Sequence, residues 1–354
     1  MTSSGLKRGE SFMQPPPFRE GSAVAVFSPS SATASKFPLR ALRGASWLEK
    51  RLGAIVRLEE PGQPYGYRAG TAPELARRLE VLFEDRDVAL ILCAIGGFNS
   101  NSLLEHIDWD LLCRHPTQIC GYSDSTALLL AIHGRTRQVV LHGPALLPQW
   151  GDPNGPLPET VQSFRAAIAG QAHEWLPVAN DYWMSPRTQW ENENSSFHDN
   201  SALVASPKIL RSGEAHGRLL GGNIETMNML LGTPYAPDFE GRILFLEATG
   251  AEAFLPRLQR ALVHLRLTGV FGRIAGLVVG RCPDAISHES STLENVILEV
   301  TQGTDFPIVA DIDIGHTEPI ATLPIGCNAR LSAVAGSVSL TVLEPAAAFA
   351  GGSA

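Results

Sequence analysis

"ICGYSDSTALLLAIH", residues 119–133, sets an apolar run, a glycine and a hydroxyl directly ahead of a stretch with the hydrophobicity of a buried helix. Two readings of Ser123 are open at that junction. Serine and aspartate are common helix N-caps because their side chains accept backbone N–H groups. Alternatively, Ser123 is a nucleophile on a tight strand-to-helix turn, where the helix N-terminus favours developing negative charge. The surrounding pattern decides the fold class. Upstream, SAVAVFS (22–28), AIVRL (54–58) and VALILCAI (88–95) read as strands. They alternate with helical stretches at 38–53, closed by Gly53, at 73–85, with Pro73 in its first turn, and at 102–115. Strand and helix alternating in this way predict an α/β protein whose parallel sheet is covered on both faces.

The segment from about 150 to 215 breaks the pattern. GDPNGPLP (151–158) is turn-rich, and DYWMSPRTQWENENSSFHDN (181–200) is polar, aromatic and aperiodic, so a long loop is expected there, either a linker or a functional excursion. The α/β pattern then resumes with strands at 241–249, 274–280 and 307–315 and helices at 254–269 and 292–303. Residues 329–344 close the chain as a hairpin. A chain of 354 residues exceeds the size of one growing core. The expected division is a flexible leader (1–20), a nucleophile domain (21–150), a linker and substrate loop (151–215), a C-terminal domain carrying Glu and His (216–345), and a tail (346–354).

Composition narrows the function classes. Hydrophobic residues make up 44% and charged residues 18%, which suits a globular protein with a substantial core. A net charge of −8 without a basic cluster argues against a nucleic-acid polymer as partner. No apolar run reaches the roughly 18 to 20 residues that cross a bilayer, and the first residues lack the apolar region of a secretory signal. Five scattered cysteines read as core residues of a reducing compartment, so a cytoplasmic location is expected.

Ligands of an open parallel sheet gather beyond the carboxyl ends of its strands. That rule selects Ser123, after the strand at 118–122, and Gly96 with Gly97, after the strand at 88–95. One of those glycine amides, with the amide of Asp124, would form an oxyanion pocket if the two strands are neighbours; otherwise the pair is an ordinary strand-ending turn. A serine nucleophile needs a base, and the base an orienting acid. Glu247 ends a strand that reads as buried on both faces, where a carboxylate needs a donor such as an imidazole. His316 follows another strand, in DIGHTEP. GYSDS departs from the G-x-S-x-G elbow because Ser125 stands at the second glycine, which disfavours a standard α/β hydrolase. No dinucleotide or Walker fingerprint is present; His288 with Glu289, and Asp311 with Asp313, lack companion metal ligands, so neither metal nor cofactor is expected.

SPSS (28–31), YGYRAGT (65–71), IGGFNSNSLLEHIDWD (95–110), CGYSDSTAL (120–128), LHGPA (141–145), the run 217–250 and IGHTEPIATLPIGCNARL (314–331) together resemble the LD-carboxypeptidase family of serine peptidases. The NSN after the double glycine and the enlarged middle segment are closer to its microcin C immunity subgroup than to the shorter enzymes of murein recycling. The resemblance implies a flavodoxin-like N-terminal sheet and a C-terminal α/β domain with the active site between them, and a homodimer. It implies Ser123 as nucleophile, His316 as general base, Glu247 as orienting acid, and Asp124 with Gly96 or Gly97 as oxyanion donors. Trp190 resembles the aromatic residue on which microcin-type enzymes stack a nucleobase, with packing of the loop as the alternative, and Asn223 is a candidate substrate-binding residue. GRCPD (280–284) has no counterpart to the acidic substrate-contacting stretch of those enzymes.

The implied activity is hydrolysis of an amide bond in a small peptide or aminoacyl nucleotide. Two other readings are murein tetrapeptide trimming, with Arg218, Arg242 or Arg281 holding a terminal carboxylate, and a catalytically silent small-molecule-binding protein on the same fold.

Overall fold

A computed structural model describes residues 12–58, 64–170, 182–185, 192, 194–200, 202–204, 206–286 and 291–348. Its strands, in chain order, are β1 (Ala23–Phe27), β2 (Ile55–Arg57), β3 (Val88–Cys93), β4 (Gln118–Gly121), β5 (Val140–His142), β6 (Tyr182–Trp183), β7 (Leu203–Val204), β8 (Lys208–Arg211), β9 (Gly213–Asn223), β10 (Ile243–Glu247), β11 (Gly276–Gly280), β12 (Ile308–Ile312), β13 (Leu323–Ile325), β14 (Asn328–Val334) and β15 (Ser337–Val342). The first sheet has the order β13-β5-β4-β3-β1-β2. Strands β1 to β5 are mutually parallel in the flavodoxin-like order 2-1-3-4-5, and β13 adds antiparallel to β5. The second sheet runs β15-β14-β9-β10-β11-β12-β8, parallel in its centre from β9 to β12 and antiparallel at both edges. Strands β6 and β7 form a separate two-stranded pair. The protein is therefore α/β, built on two sheets.

Local chemistry explains the element ends. The helix Pro38–Leu52 stops at Gly53, which takes the left-handed conformation at φ 65°. The helix Ala72–Glu84 starts at Thr71 with a reciprocal capping box to Glu74 and Pro73 in its first turn. The stretch 102–115 is not one helix: a 3₁₀ turn at Ser100–Leu103 is followed by a separate helix, Trp109–Arg114, because Asp108 caps a new start by accepting from Leu111 N at 3.0 Å.

Three features were hidden in the sequence. Residues Pro158–Ile168, inside the expected loop, form a helix whose Phe164 packs against buried Trp150. The long strand β9 carries five glycines or small polar residues where branched ones would be expected, so period-2 patterning misses it. Strand β13 lies within the C-terminal stretch of sequence yet completes the N-terminal sheet. All five cysteines are free, and Cys93, Cys120 and Cys327 are buried. Among the described residues no helix is long and apolar enough to cross a membrane.

Two histidines are buried in this core. His133 stacks on Phe12 at 4.9 Å and bonds through Nδ1 to Gln138 O at 2.8 Å, while His142 lies against Tyr122 and Phe245. Burial pulls both from an ordinary 6.5 down to about 4. The unfolded chain then binds more protons than the fold between those values, so stability falls as pH drops from about 6.5 towards 4, on the order of 3 kcal/mol for each residue. Urea unfolding across that range should show the decline, and it should be shallower in His133→Gln. Identical slopes in the two proteins would count against burial as the cause.

Candidate active site

The carboxyl ends of β3 and β4, which are paired parallel neighbours, carry the first group of site residues. Ser123 follows β4 and Tyr122 and opens a 3₁₀ turn (Ser123–Ser125) that runs into the helix Thr126–Thr136. Its φ of 61° puts a non-glycine residue in the left-handed region, a conformation that costs about 1 to 3 kcal/mol and must be held by its surroundings. The result is a strained strand-to-helix turn, formed without a second glycine, since Ser125 stands two residues on. Gly121 makes room for it, since a Cβ there would fall 2.7 Å from Cys93 Sγ and 3.1 Å from Ser125 Cβ. The turn and the helix after it start without a side-chain cap: neither Tyr122 nor Ser125, at the two cap positions, accepts a bond through its side chain.

Gly96 packs directly on this turn. A Cβ at Gly96 would stand 2.9 Å from Ser123 Cβ, 3.0 Å from its Oγ and 3.2 Å from Asp124 N, so no larger residue fits. Gly97 instead lies against Ser30, where a Cβ would overlap the hydroxyl. Ser30 and Asp124 shape this loop from both sides. Ser30 Oγ donates to Asn99 Oδ1 at 2.9 Å and accepts from Phe98 N and Asn99 N. The Asp124 carboxylate accepts from Asn99 N at 3.0 Å and Ser100 N at 2.9 Å, although burial raises its pKa. The roles of Ser30, Asn99 and the Asp124 side chain escaped sequence reasoning because they depend on contacts between residues 24 to 69 positions apart in the chain.

The second sheet supplies the acid and the imidazole. Glu247 ends β10, whose five residues are all buried, and His316 lies on the loop after β12. His316 Nδ1 donates to Glu247 Oε2 at 2.7 Å. Burial pushes Glu247 up, but the adjacent imidazole and its hydrogen bond outweigh that and hold it below its ordinary value. Gly315 permits the approach: at φ 88° it sits where a Cβ would be 2.6 Å from Glu247 Cβ. With Nδ1 committed, Nε2 is left to exchange a proton with a neighbouring group. The Tyr122 ring, one residue before Ser123, lies 4.8 Å from the His316 ring. Among the described residues no hydrogen bond joins Ser123 Oγ to His316; such contacts are often long without substrate and tighten when it binds.

The two sheets meet at this point. Asn223 N donates to Thr126 Oγ1 at 3.0 Å, and Gly222 lies so close to Thr126 that a Cβ would overlap its side chain. Asn223 is itself occupied: its Oδ1 caps the helix Ile224–Asn228 by accepting from Thr226 N, and its amide donates to Glu252 Oε2 at 2.8 Å. Arg218 is bound to Glu344 and the Gly326 carbonyl, Arg242 pairs with Asp238, and Arg281 is buried against Asp313. Trp190, His288 and Glu289 lie outside the described residues. Among the described residues no cluster of His, Cys, Asp and Glu is arranged to hold a metal ion.

Comparison with known proteins places this geometry. The profile of the LD-carboxypeptidase N-terminal domain matches residues 24–143 and that of its C-terminal domain matches 216–331. A Vibrio cholerae protein named "Putative carboxypeptidase" is 31% identical over 316 residues, covering 88% of this chain and 92% of its own length. The chain belongs to the LD-carboxypeptidase family. Other members of the LD-carboxypeptidase family include the "Microcin C7 self-immunity protein MccF" of Escherichia coli, 29% identical over 329 residues (92% of this chain, 94% of that one). The "Probable murein peptide carboxypeptidase" of Bacillus subtilis is 30% identical over 323 residues (90% and 91%). The solved structure of MccF in complex with aspartyl sulfamoyl adenosine superposes with a TM-score of 0.87 at 27% identity, covering 95% of this chain and all of that one. As a member of this peptidase family the chain is a hydrolase.

Proposed function

We propose that this protein is a serine peptidase or amidase that cleaves the amide bond of a peptidyl or aminoacyl nucleotide. The observation that carries the reading is the strained φ of Ser123 beside Gly96 and the Asp124 amide, with the adjacent Tyr122 ring against an imidazole oriented by a buried carboxylate. Ser123 attacks the substrate carbonyl while His316 Nε2 takes its proton. The Asp124 amide and one from Gly96 or Gly97 receive the charge that develops on the carbonyl oxygen. Collapse of that intermediate expels the amine, which takes the proton from His316, and leaves an acyl-serine. Water, deprotonated by His316, then releases the acid and restores Ser123. Glu247 keeps Nδ1 protonated and stabilises the imidazolium at each stage.

Aminoacyl nucleotides are favoured over murein peptides by two observations. The structural neighbour MccF carries an aminoacyl sulfamoyl nucleoside. The arginines nominated to hold a murein carboxylate are engaged with Glu344, Asp238 and Asp313. Side-by-side hydrolysis of aspartyl sulfamoyl adenosine and a murein tetrapeptide tests the choice, with the nucleotide expected to give the higher kcat/KM. Trp190→Ala should raise KM for the nucleotide by roughly 10-fold or more, the loss expected from removing a base-stacking aromatic, while sparing the tetrapeptide. Equal effects on the two substrates would leave Trp190 a packing residue only. A preference for the tetrapeptide would overturn the nucleotide assignment.

A further inference from the structure

The loop that carries His316 is tied to the rest of the molecule by one buried carboxyl group that the mechanism does not use. Glu318, two residues beyond His316, has no exposed surface. Its Oε1 accepts from Gln149 Nε2 at 2.7 Å, and its Oε2 lies 3.5 Å from Thr160 Oγ1 on the helix Pro158–Ile168. Gln149 Nε2 also donates to Tyr122 OH at 3.2 Å. The Gln149 amide cannot turn over, because its Oε1 accepts from Ala145 N at 2.9 Å. A chain of bonds therefore runs from Glu318 through Gln149 to Tyr122, the residue that precedes Ser123 and whose ring packs on His316.

The backbone of Glu318 makes a second connection. It exchanges two hydrogen bonds with Met184, of 2.7 and 3.0 Å, early in the aperiodic stretch 181–200. Later in the same stretch Ser196 Oγ donates to Asp152 at 2.6 Å, and Phe197 N does so at 2.9 Å. Nucleophile and imidazole come from different sheets, so their separation is set by contacts of this kind and not by either sheet alone.

We propose that Glu318 is a positioning residue, whose buried carboxyl group and backbone fix the histidine loop against the Tyr122–Ser123 turn and against Met184. This rests on Ser123 and His316 acting as nucleophile and base. Burial, with Asp152 nearby, pushes the Glu318 carboxyl up to about 8, against the opposing effect of the bonds it accepts from Gln149 and Thr160. Glutamine has the same shape and keeps the Oε1 that accepts from Gln149 Nε2, the bond that leads to Tyr122. A negative charge is therefore not needed for that link.

The test compares Glu318→Gln, Glu318→Ala and Tyr122→Phe by steady-state kinetics on aspartyl sulfamoyl adenosine and by the rate of Ser123 labelling with a fluorophosphonate. Glu318→Gln should keep kcat within about threefold of the parent. Glu318→Ala should lose about 10²-fold in kcat, the scale of an ångström's misplacement, with labelling slowed in parallel. Tyr122→Phe removes only the hydroxyl and should lower kcat and labelling severalfold with KM unchanged, which keeps the inference testable if the alanine variant does not fold. Glu318→Gln as slow as Glu318→Ala would overturn it, as would parental labelling rates in both Glu318→Ala and Tyr122→Phe. Labelling that persists in Ser123→Ala would instead overturn the underlying reading of the site, and this inference with it.

Discussion

Ser123→Ala is expected to lower turnover by roughly 10³ to 10⁶ fold and to abolish fluorophosphonate labelling, while leaving unfolding by urea close to that of the parent. The stability expectation follows from what the side chain touches. The Ser123 hydroxyl is half-buried and has no hydrogen-bond partner among the described residues, so its removal leaves no orphaned partner and opens no core cavity. The φ of 61° is a backbone property that alanine must also adopt, so the strain is unchanged. The residual rate would come from the amides of Asp124 and Gly96 or Gly97 and from substrate binding. Hydrolysis at the parental rate would eliminate Ser123 as the nucleophile.

Glu247→Gln should be nearly as damaging in kcat, by about 10³ to 10⁴ fold, with a smaller effect on KM. Glutamine matches the shape of the buried side chain, but only its oxygen can accept from His316 Nδ1. With its amide nitrogen towards the ring, His316 either loses its 2.7 Å bond or takes the tautomer that places a proton on Nε2, where the base must be free. The imidazolium formed during attack would also lose its neighbouring negative charge. Circular dichroism should show an intact fold while kcat falls. Full activity in the variant would show that Glu247 does not serve the imidazole.

Much of this architecture was legible in the chain because it is written in local patterns. Alternation of apolar runs with amphipathic stretches signals a covered parallel sheet, and Gly53, Thr71 and Pro73 mark element ends through their own backbone chemistry. The rule that ligands collect at carboxyl edges then picks out Ser123, the Gly96–Gly97 pair, Glu247 and His316 without any knowledge of their spacing in space. Strand β9 resisted the same treatment. Its glycines are present because β10 and Thr126 approach its backbone so closely that a Cβ at Gly221 or Gly222 would collide with them, a requirement imposed from outside the strand. The partners of Asn223 were hidden for a similar reason: that its carbonyl accepts from Thr226 and its amide donates to Glu252 depends on how the neighbouring elements pack.

The order of residues by itself determined the α/β class, the flavodoxin-like half, the family and the kinds of side chain available for chemistry, since periodicity, caps and motifs act over a few residues at a time. Only the tertiary structure decided that Glu247 meets His316, that Gly96 rather than Gly97 lies against Ser123, and that Glu318 and Gln149 join the histidine loop to the serine turn. Those relations span up to about 170 residues of chain and depend on how two sheets pack. Ångström-scale separations of that kind are set by side-chain packing at the junction, which no local pattern encodes.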